Sequence, residues 1–257
     1  MENANLATMP FQEHRTESGG LPINYIEAGR GNIVVILDSI AWGFSNLQNT
    51  LAQTYRVLVL ELPGFGSSPV NNESSSAKEL ANVVAQATEN ITPQKFTLIG
   101  TSFSANVALW LAIQAPEQVE ALVLISPTAL HPLEMANQLL AHPERSPGLP
   151  TLPDILAKEQ ELIRRFGGGT HDAEVEGRLN QIQCPALVLF GSKDQLVNTS
   201  AASIYRREIP NCNVSIVYDA GHLIEVERPE ALVKAVVDYV ERRETFVVNR
   251  DSRVINP

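Results

Sequence analysis

Thr97-Leu98-Ile99-Gly100-Thr101-Ser102-Phe103-Ser104-Ala105-Asn106-Val107-Ala108-Leu109-Trp110 decides how this chain folds. An apolar run ends at Gly100, Ser102 follows two residues later, and an apolar helical pattern starts at once. This is the pattern of a strand, a tight turn and a helix in which the turn lifts one hydroxyl above the edge of a sheet. A hydroxyl so placed sits at a helix N-terminus, where a developing negative charge meets backbone N–H groups. The usual form is Gly-x-Ser-x-Gly, because the turn brings helix and strand backbones close together. Gly100 fills the first glycine position, and Ser104, also small, stands in the second. Gly-Thr-Ser turns closing strands are common, so residues further along must decide what Ser102 does.

A serine hydroxyl attacks poorly at neutral pH unless a base lies within hydrogen-bond reach and a carboxylate orients that base. Pro185 to Gly191 reads as a buried parallel strand, and Asp194 follows its C-terminal end. Val214 to Tyr218 reads as the next strand, followed by Asp219-Ala220-Gly221-His222. Sites in open α/β sheets form outside the carboxyl ends of the strands. Taken singly, Asp194 reads equally well as a turn or capping aspartate, and His222 as a surface loop histidine. Ser102, Asp194 and His222 all falling at strand ends, in that order, favours a nucleophile, an orienting acid and a base.

With these residues the chain resembles the α/β-hydrolase superfamily over nearly its whole length. The likeness extends to Glu61-Leu-Pro-Gly-Phe-Gly-Ser-Ser68 after the fourth strand, to Gly191-Ser-Lys-Asp194-Gln-Leu-Val197, and to Ala220-Gly-His222 with Glu227-Arg-Pro-Glu230 opening the last helix. It implies an α/β-hydrolase fold, a doubly wound and mostly parallel sheet. One segment departs from the family pattern. Where the family has His-Gly after the third strand, Ile33–Leu37 here runs into Asp38-Ser39-Ile40-Ala41-Trp42-Gly43. An oxyanion hole takes one backbone N–H from the residue after the nucleophile, here Phe103, and one from this loop, here Ile40 or its neighbour Ser39. An ionised Asp38 beside an oxyanion would oppose it by roughly 2–4 kcal/mol at an effective dielectric near 20. Asp38 is therefore expected to turn away and bond the loop backbone, an aspartate habit in turns.

The 257 residues suffice for one large α/β domain with a modest insertion. A formal charge of −10 argues against nucleic acid or an anionic membrane as partner. The N-terminus shows no basic region followed by an apolar core, and no apolar run approaches the roughly 20 residues of a membrane helix. A cytoplasmic enzyme is expected. Cys184 and Cys212, each near the start of an expected strand, read as buried free thiols, and no zinc site is suggested.

Strand and helix signals alternate along the chain, as a doubly wound sheet requires. Strands are expected near Phe11–Thr16, Leu21–Ala28, Ile33–Leu37, Arg56–Leu60, Phe96–Ile99 and Ala121–Ile125, with helices near Ser45–Gln53, Ser76–Glu89 and Phe103–Gln114. The alternation breaks between Thr128 and Gln183, where prolines punctuate helical pieces at Pro132–Leu140, Pro153–Phe166 and Asp172–Ile182. Residues 128–183 are expected to form a helical cap over the site, with 1–127 and 184–257 as the core domain. Gly167-Gly168-Gly169 is a hinge or a plain connection. Pro229–Arg243 closes the fold as an amphipathic helix. The apolar tail from Phe246 docks on its own domain or on a second subunit in a homodimer. His14, His131, His142 and His171 lack carboxylate or cysteine partners at ligand spacing. Asp38, Trp42, Phe44 and Phe65 lie on loops at the active-site end as candidate walls of a substrate pocket, packing under the cap being the alternative for the aromatics.

The resulting expectation is a serine hydrolase of a small carboxylic ester or lactone, with no metal or organic cofactor and a small-molecule substrate as its partner. Hydrolysis of C–C bonds in ring-cleavage dienoates or diketones is the nearest alternative, through likeness at Gly43-Phe44-Ser45-Asn46 and Ser126-Pro127. A ligand-binding protein on a hydrolase scaffold is the alternative outside catalysis, supported by Asp38-Ser39.

Overall fold

The computed structural model describes residues 10–130, 153–167 and 171–242. The expected helix at Pro132–Leu140, His131, His142, Gly168, Gly169 and the apolar tail lie outside the described residues.

Eight strands form one sheet in the order β1-β2-β4-β3-β5-β6-β7-β8. These are β1 (Gln12–Ser18), β2 (Leu21–Ala28), β3 (Ile33–Leu37), β4 (Arg56–Leu60), β5 (Phe96–Thr101), β6 (Val119–Ile125), β7 (Ala186–Gly191) and β8 (Cys212–Val217). β1 and β2 pair antiparallel, as do β2 and β4, and every later pairing is parallel. β3 and β7 each have a strand on either side and helices on both faces of the sheet, which is why they read as unbroken apolar runs.

On one face pack α2 (Ala77–Ile91), α3 (Phe103–Gln114) and α6 (Ala201–Glu208), around Leu80, Val84, Trp110 and Tyr205. On the other pack α1 (Asn46–Leu51) and the closing helix α8 (Pro229–Arg242), around Leu47, Leu51, Leu232, Val236 and Tyr239. Ser45 and Gln48 cap α1 reciprocally, and Ser76 caps α2 by accepting from the Glu79 N–H. α3 is buried along its length from Ala105 to Ala112, because it lies between the sheet and α2.

Two expectations need correction. Asp172–Ile182 is not one helix. α5 (Ala173–Glu176) stops at Gly177, a poor helix former, and a 3₁₀ turn follows at Leu179–Gln181. The last strand is Cys212–Val217 rather than Val214–Tyr218, its start set by pairing of Cys212 with Ala186.

Between β6 and β7 the described residues contain no strand. α4 (Pro153–Arg165) lies across the turn that follows β4. Lys158 Nζ donates to the Gly66 carbonyl at 2.6 Å, and Arg165 Nη2 to the carbonyls of Asn72 and Ser74 at 2.8 and 2.9 Å. Leu162 packs so close to Gly64 that a Cβ there would lie 2.7 Å from a Leu162 methyl. No helix of the described residues is long and apolar enough to cross a membrane. The short helix Ile224–Glu227 (α7) follows the loop after β8.

Candidate active site

Ser102 sits at the turn between β5 and α3 with φ 54° and ψ −118°, in a region that non-glycine residues rarely adopt. The turn is held by register. Leu37 pairs with Gly100 and Gly100 with Leu124, and the Ser102 N–H donates to the Ile125 carbonyl at 2.8 Å. A Cβ on Gly100 would meet the Ser104 carbonyl oxygen at 2.7 Å and the Ala105 Cα at 2.8 Å. All of these contacts are backbone and have no side chain to give way. Gly100→Ala is therefore expected to destabilise the protein by about 1–3 kcal/mol, read as a lower urea midpoint with an unchanged denaturant slope. The same contacts explain why Ser104 replaces the second glycine without harm: it is Gly100, facing the Ser104 and Ala105 backbone, that must lack a side chain.

Asp194 and His222 come from the loops after β7 and β8, which lie side by side. A Cβ on Gly191 would stand 2.1 Å from the Gly221 carbonyl, so only glycine lets the two loops meet. The Ser192 N–H donates to the Val217 carbonyl and the Lys193 N–H to the Ala220 carbonyl. Asp194 Oδ1 accepts from the N–H groups of Leu196 and Val197 at 2.8 and 2.9 Å. Its Oδ2 lies 2.9 Å from His222 Nδ1, and His222 Nε2 lies 2.9 Å from Ser102 Oγ. The Asp194 side chain is fully buried and that of His222 is 11% exposed. Ser126, at φ 46°, donates its hydroxyl to the His222 carbonyl and so ties the histidine loop to the end of β6. The three residues singled out from the sequence thus form one hydrogen-bonded line at the carboxyl edge of the sheet.

The loop after β3 is more polar than its sequence suggests. Asp38 does turn to the loop backbone: Oδ1 accepts from the Ser39 N–H at 2.8 Å and Oδ2 from Gln48 Nε2 at 3.0 Å. The Ser39 N–H is thereby committed. The Ile40 N–H donates to Glu61 Oε1 at 3.2 Å. Both donors expected of this loop are therefore engaged by side-chain carboxylates.

The residues expected to line a pocket are placed differently from one another. Phe65 is buried and its ring centroid lies 6.3 Å from that of Phe103, which in turn lies 6.4 Å from Phe166. Trp42 is buried with its indole N–H donated to Glu159 at 3.0 Å. Phe44 stacks on Phe11 at 4.7 Å and is half exposed. Asp38 is held by its own loop and α1, and Phe44 by the segment before β1.

Two buried carboxylates escaped the sequence reading. Glu61 receives the N–H and hydroxyl groups of both Ser67 and Ser68 as well as the Ile40 N–H. Burial pushes its carboxyl above the ordinary carboxylate range, against the pull of those donors. Glu159, 3% exposed, accepts from Ser39 Oγ at 2.6 Å, Trp42 Nε1 at 3.0 Å and the Gly66 N–H at 3.0 Å. The available signal is a carboxylate three residues before Leu162 on α4 and seven before Phe166, just past its end, at helical spacing with these apolar residues. The two cysteines are buried and free, and burial pushes the Cys184 thiol up to about 12. Among the described residues no group of three or more His, Cys, Asp or Glu side chains is arranged to hold a metal ion.

An eight-stranded, mostly parallel sheet with this serine turn on its central strand defines the α/β-hydrolase fold. The alpha/beta hydrolase family model matches residues 29–235, and the chain belongs to that family of hydrolases. It is similar to the uncharacterized hydrolase YugF of Bacillus subtilis (strain 168), at 23% identity over 85% of this chain and 93% of that protein. It is also similar to 2-hydroxy-6-oxononadienedioate/2-hydroxy-6-oxononatrienedioate hydrolase 2 of Pseudomonas putida, at 24% identity over 86% of this chain and 92% of that one. Among solved structures, that of E-2-(acetamidomethylene)succinate hydrolase superposes with a TM-score of 0.74 at 19% identity, over 90% of this chain and all of that chain.

Proposed function

We propose that the protein is a serine hydrolase that cleaves a small carboxylic ester or lactone through an acyl-enzyme. The carrying observation is the line from Ser102 Oγ through His222 to Asp194, with both contacts at 2.9 Å. In this reading Ser102 Oγ attacks the carbonyl carbon as His222 Nε2 takes its proton. Asp194 holds the Nδ1–H tautomer and stabilises the imidazolium. His222 returns the proton to the leaving alcohol, and water releases the acyl group by the reverse sequence.

The oxyanion goes to two backbone donors. Phe103 opens α3, so its N–H has no acceptor within the helix. The second donor is assigned to Ile40 rather than Ser39, because the Ser39 N–H is held by the adjoining Asp38 side chain. The Ile40 N–H is the more weakly held of the two, at 3.2 Å against 2.8 Å for Ser39, and Glu61 keeps four donors from Ser67 and Ser68 when it is released. The 128–183 segment serves as the cap, α4 being its described anchor.

Ester cleavage is the first reading because a serine, a histidine and an aspartate so arranged need only a carbonyl with an alcohol leaving group from the substrate. The likeness to a dienedioate hydrolase, at 24% identity, keeps C–C cleavage as the second reading. The test compares the two substrates directly. Turnover of p-nitrophenyl acetate without turnover of a 2-hydroxy-6-oxodienoate is expected, and the reverse result would sink the ester reading.

A further inference from the structure

Glu159 belongs to the inserted helix α4, yet all three groups bonded to its carboxylate belong to the core: Ser39, Trp42 and Gly66. Ser39 and Trp42 flank Ile40 and Ala41, so the carboxylate grips both ends of the turn that presents the Ile40 N–H. Gly66 extends the grip to the turn after β4. That turn holds Glu61, whose Oε1 accepts the Ile40 N–H and would lie 1.7 Å from a Cβ on Gly66. Lys158, the preceding residue of α4, bonds the Gly66 carbonyl. The peptide of Ile40 is thus enclosed by one network closed from above by a helix of the insertion. A buried carboxylate with three donors is strongly held, and its removal leaves three buried donors without an acceptor.

We propose that Glu159 is a positioning residue for the oxyanion loop, coupling the seating of α4 to the orientation of the Ile40 N–H. It touches neither substrate nor Ser102 and acts through Ser39 and Trp42. The inference rests on the serine-hydrolase reading, in which that N–H binds the oxyanion.

The test uses the full chain and the variants E159A, E159Q, S39A and E159A/S39A, with p-nitrophenyl acetate as substrate. Loss of one oxyanion donor costs about 10²–10³ in kcat, so its misplacement in E159A is expected to cost about 10–100-fold. KM should stay within about threefold, because the ground state makes little use of the donor. Adding S39A to E159A should cost no more than E159A alone, since the one contact that S39A breaks is among the three that E159A already breaks. In E159Q the amide oxygen can keep Ser39 and Gly66 while the amide nitrogen faces the Trp42 indole. Its kcat is expected between wild type and E159A. The Trp42 indole N–H, followed by NMR on ¹⁵N-tryptophan-labelled protein, should move in both variants.

A purely structural role would lower Tm and leave kcat intact well below it, and that result in E159A overturns the proposal. So does an additive loss in the double variant. If E159A does not fold, E159Q decides: unchanged kcat with an unmoved Trp42 signal overturns the proposal. Failure of the underlying reading looks different. Wild-type protein would then resist fluorophosphonate labelling at Ser102 while the Trp42 signal still answers to residue 159.

Discussion

Ser102→Ala is expected to lower kcat on p-nitrophenyl acetate by about 10⁴–10⁶-fold and to abolish fluorophosphonate labelling. The size follows from the geometry. Ser102 Oγ is the atom 2.9 Å from His222 Nε2, and removing it leaves the histidine without a nucleophile to activate. Stability should change little, since Ser102 makes no side-chain cap to α3 and alanine has the same Cβ in the same turn. Far-UV circular dichroism and the urea midpoint check that the loss is chemical. A variant that folds normally and retains more than a hundredth of wild-type kcat would show that another group attacks.

Asp194→Asn is expected to cost about 10⁴-fold in kcat near neutral pH, with KM little changed. Here the structure specifies how the substitution fails. Asp194 Oδ1 accepts from two backbone N–H groups, of Leu196 and Val197. An asparagine must keep its oxygen there, because its NH₂ would face two donors. The NH₂ then faces His222 Nδ1 and donates to it. That fixes the proton on Nε2, which can then only donate to Ser102 Oγ and cannot take its proton. The check is the ¹⁵N shift of the two His222 ring nitrogens alongside kcat. An inactive variant with an unchanged tautomer would refute this account and leave charge loss as the cause.

The contrast between Asp194 and Glu159 shows what the chain declares locally. Asp194 and His222 lie 28 residues apart, and each stands just past an apolar run closed by a tight turn. The strand ends could be placed from local pattern alone, and neighbouring strands bring their ends together without further instruction. Ser102 was legible for the same reason, although 120 residues separate it from His222. Glu159 is equally far from Ser39, at 120 residues, but its neighbours carry no mark of the partner. Its helical face says only that it points inward. What it meets depends on how an inserted helix seats on the turn after β4.

The loop after β3 divides in the same way. Asp38 bonding to the next residue's N–H is a short-range habit of aspartate and could be anticipated. The Ile40 N–H donating to Glu61 could not, because that pair is made by β3 and β4 lying side by side in register.

By itself, then, the chain determined the doubly wound sheet, the strained serine turn and the order of Ser102, Asp194 and His222 at strand ends. Each rests on side-chain periodicity and turn chemistry within a few residues. Only the tertiary structure decided which carboxylates surround the loop after β3. Burying a charge is favourable only where enough donors converge on it, and that convergence exists only after distant segments have packed.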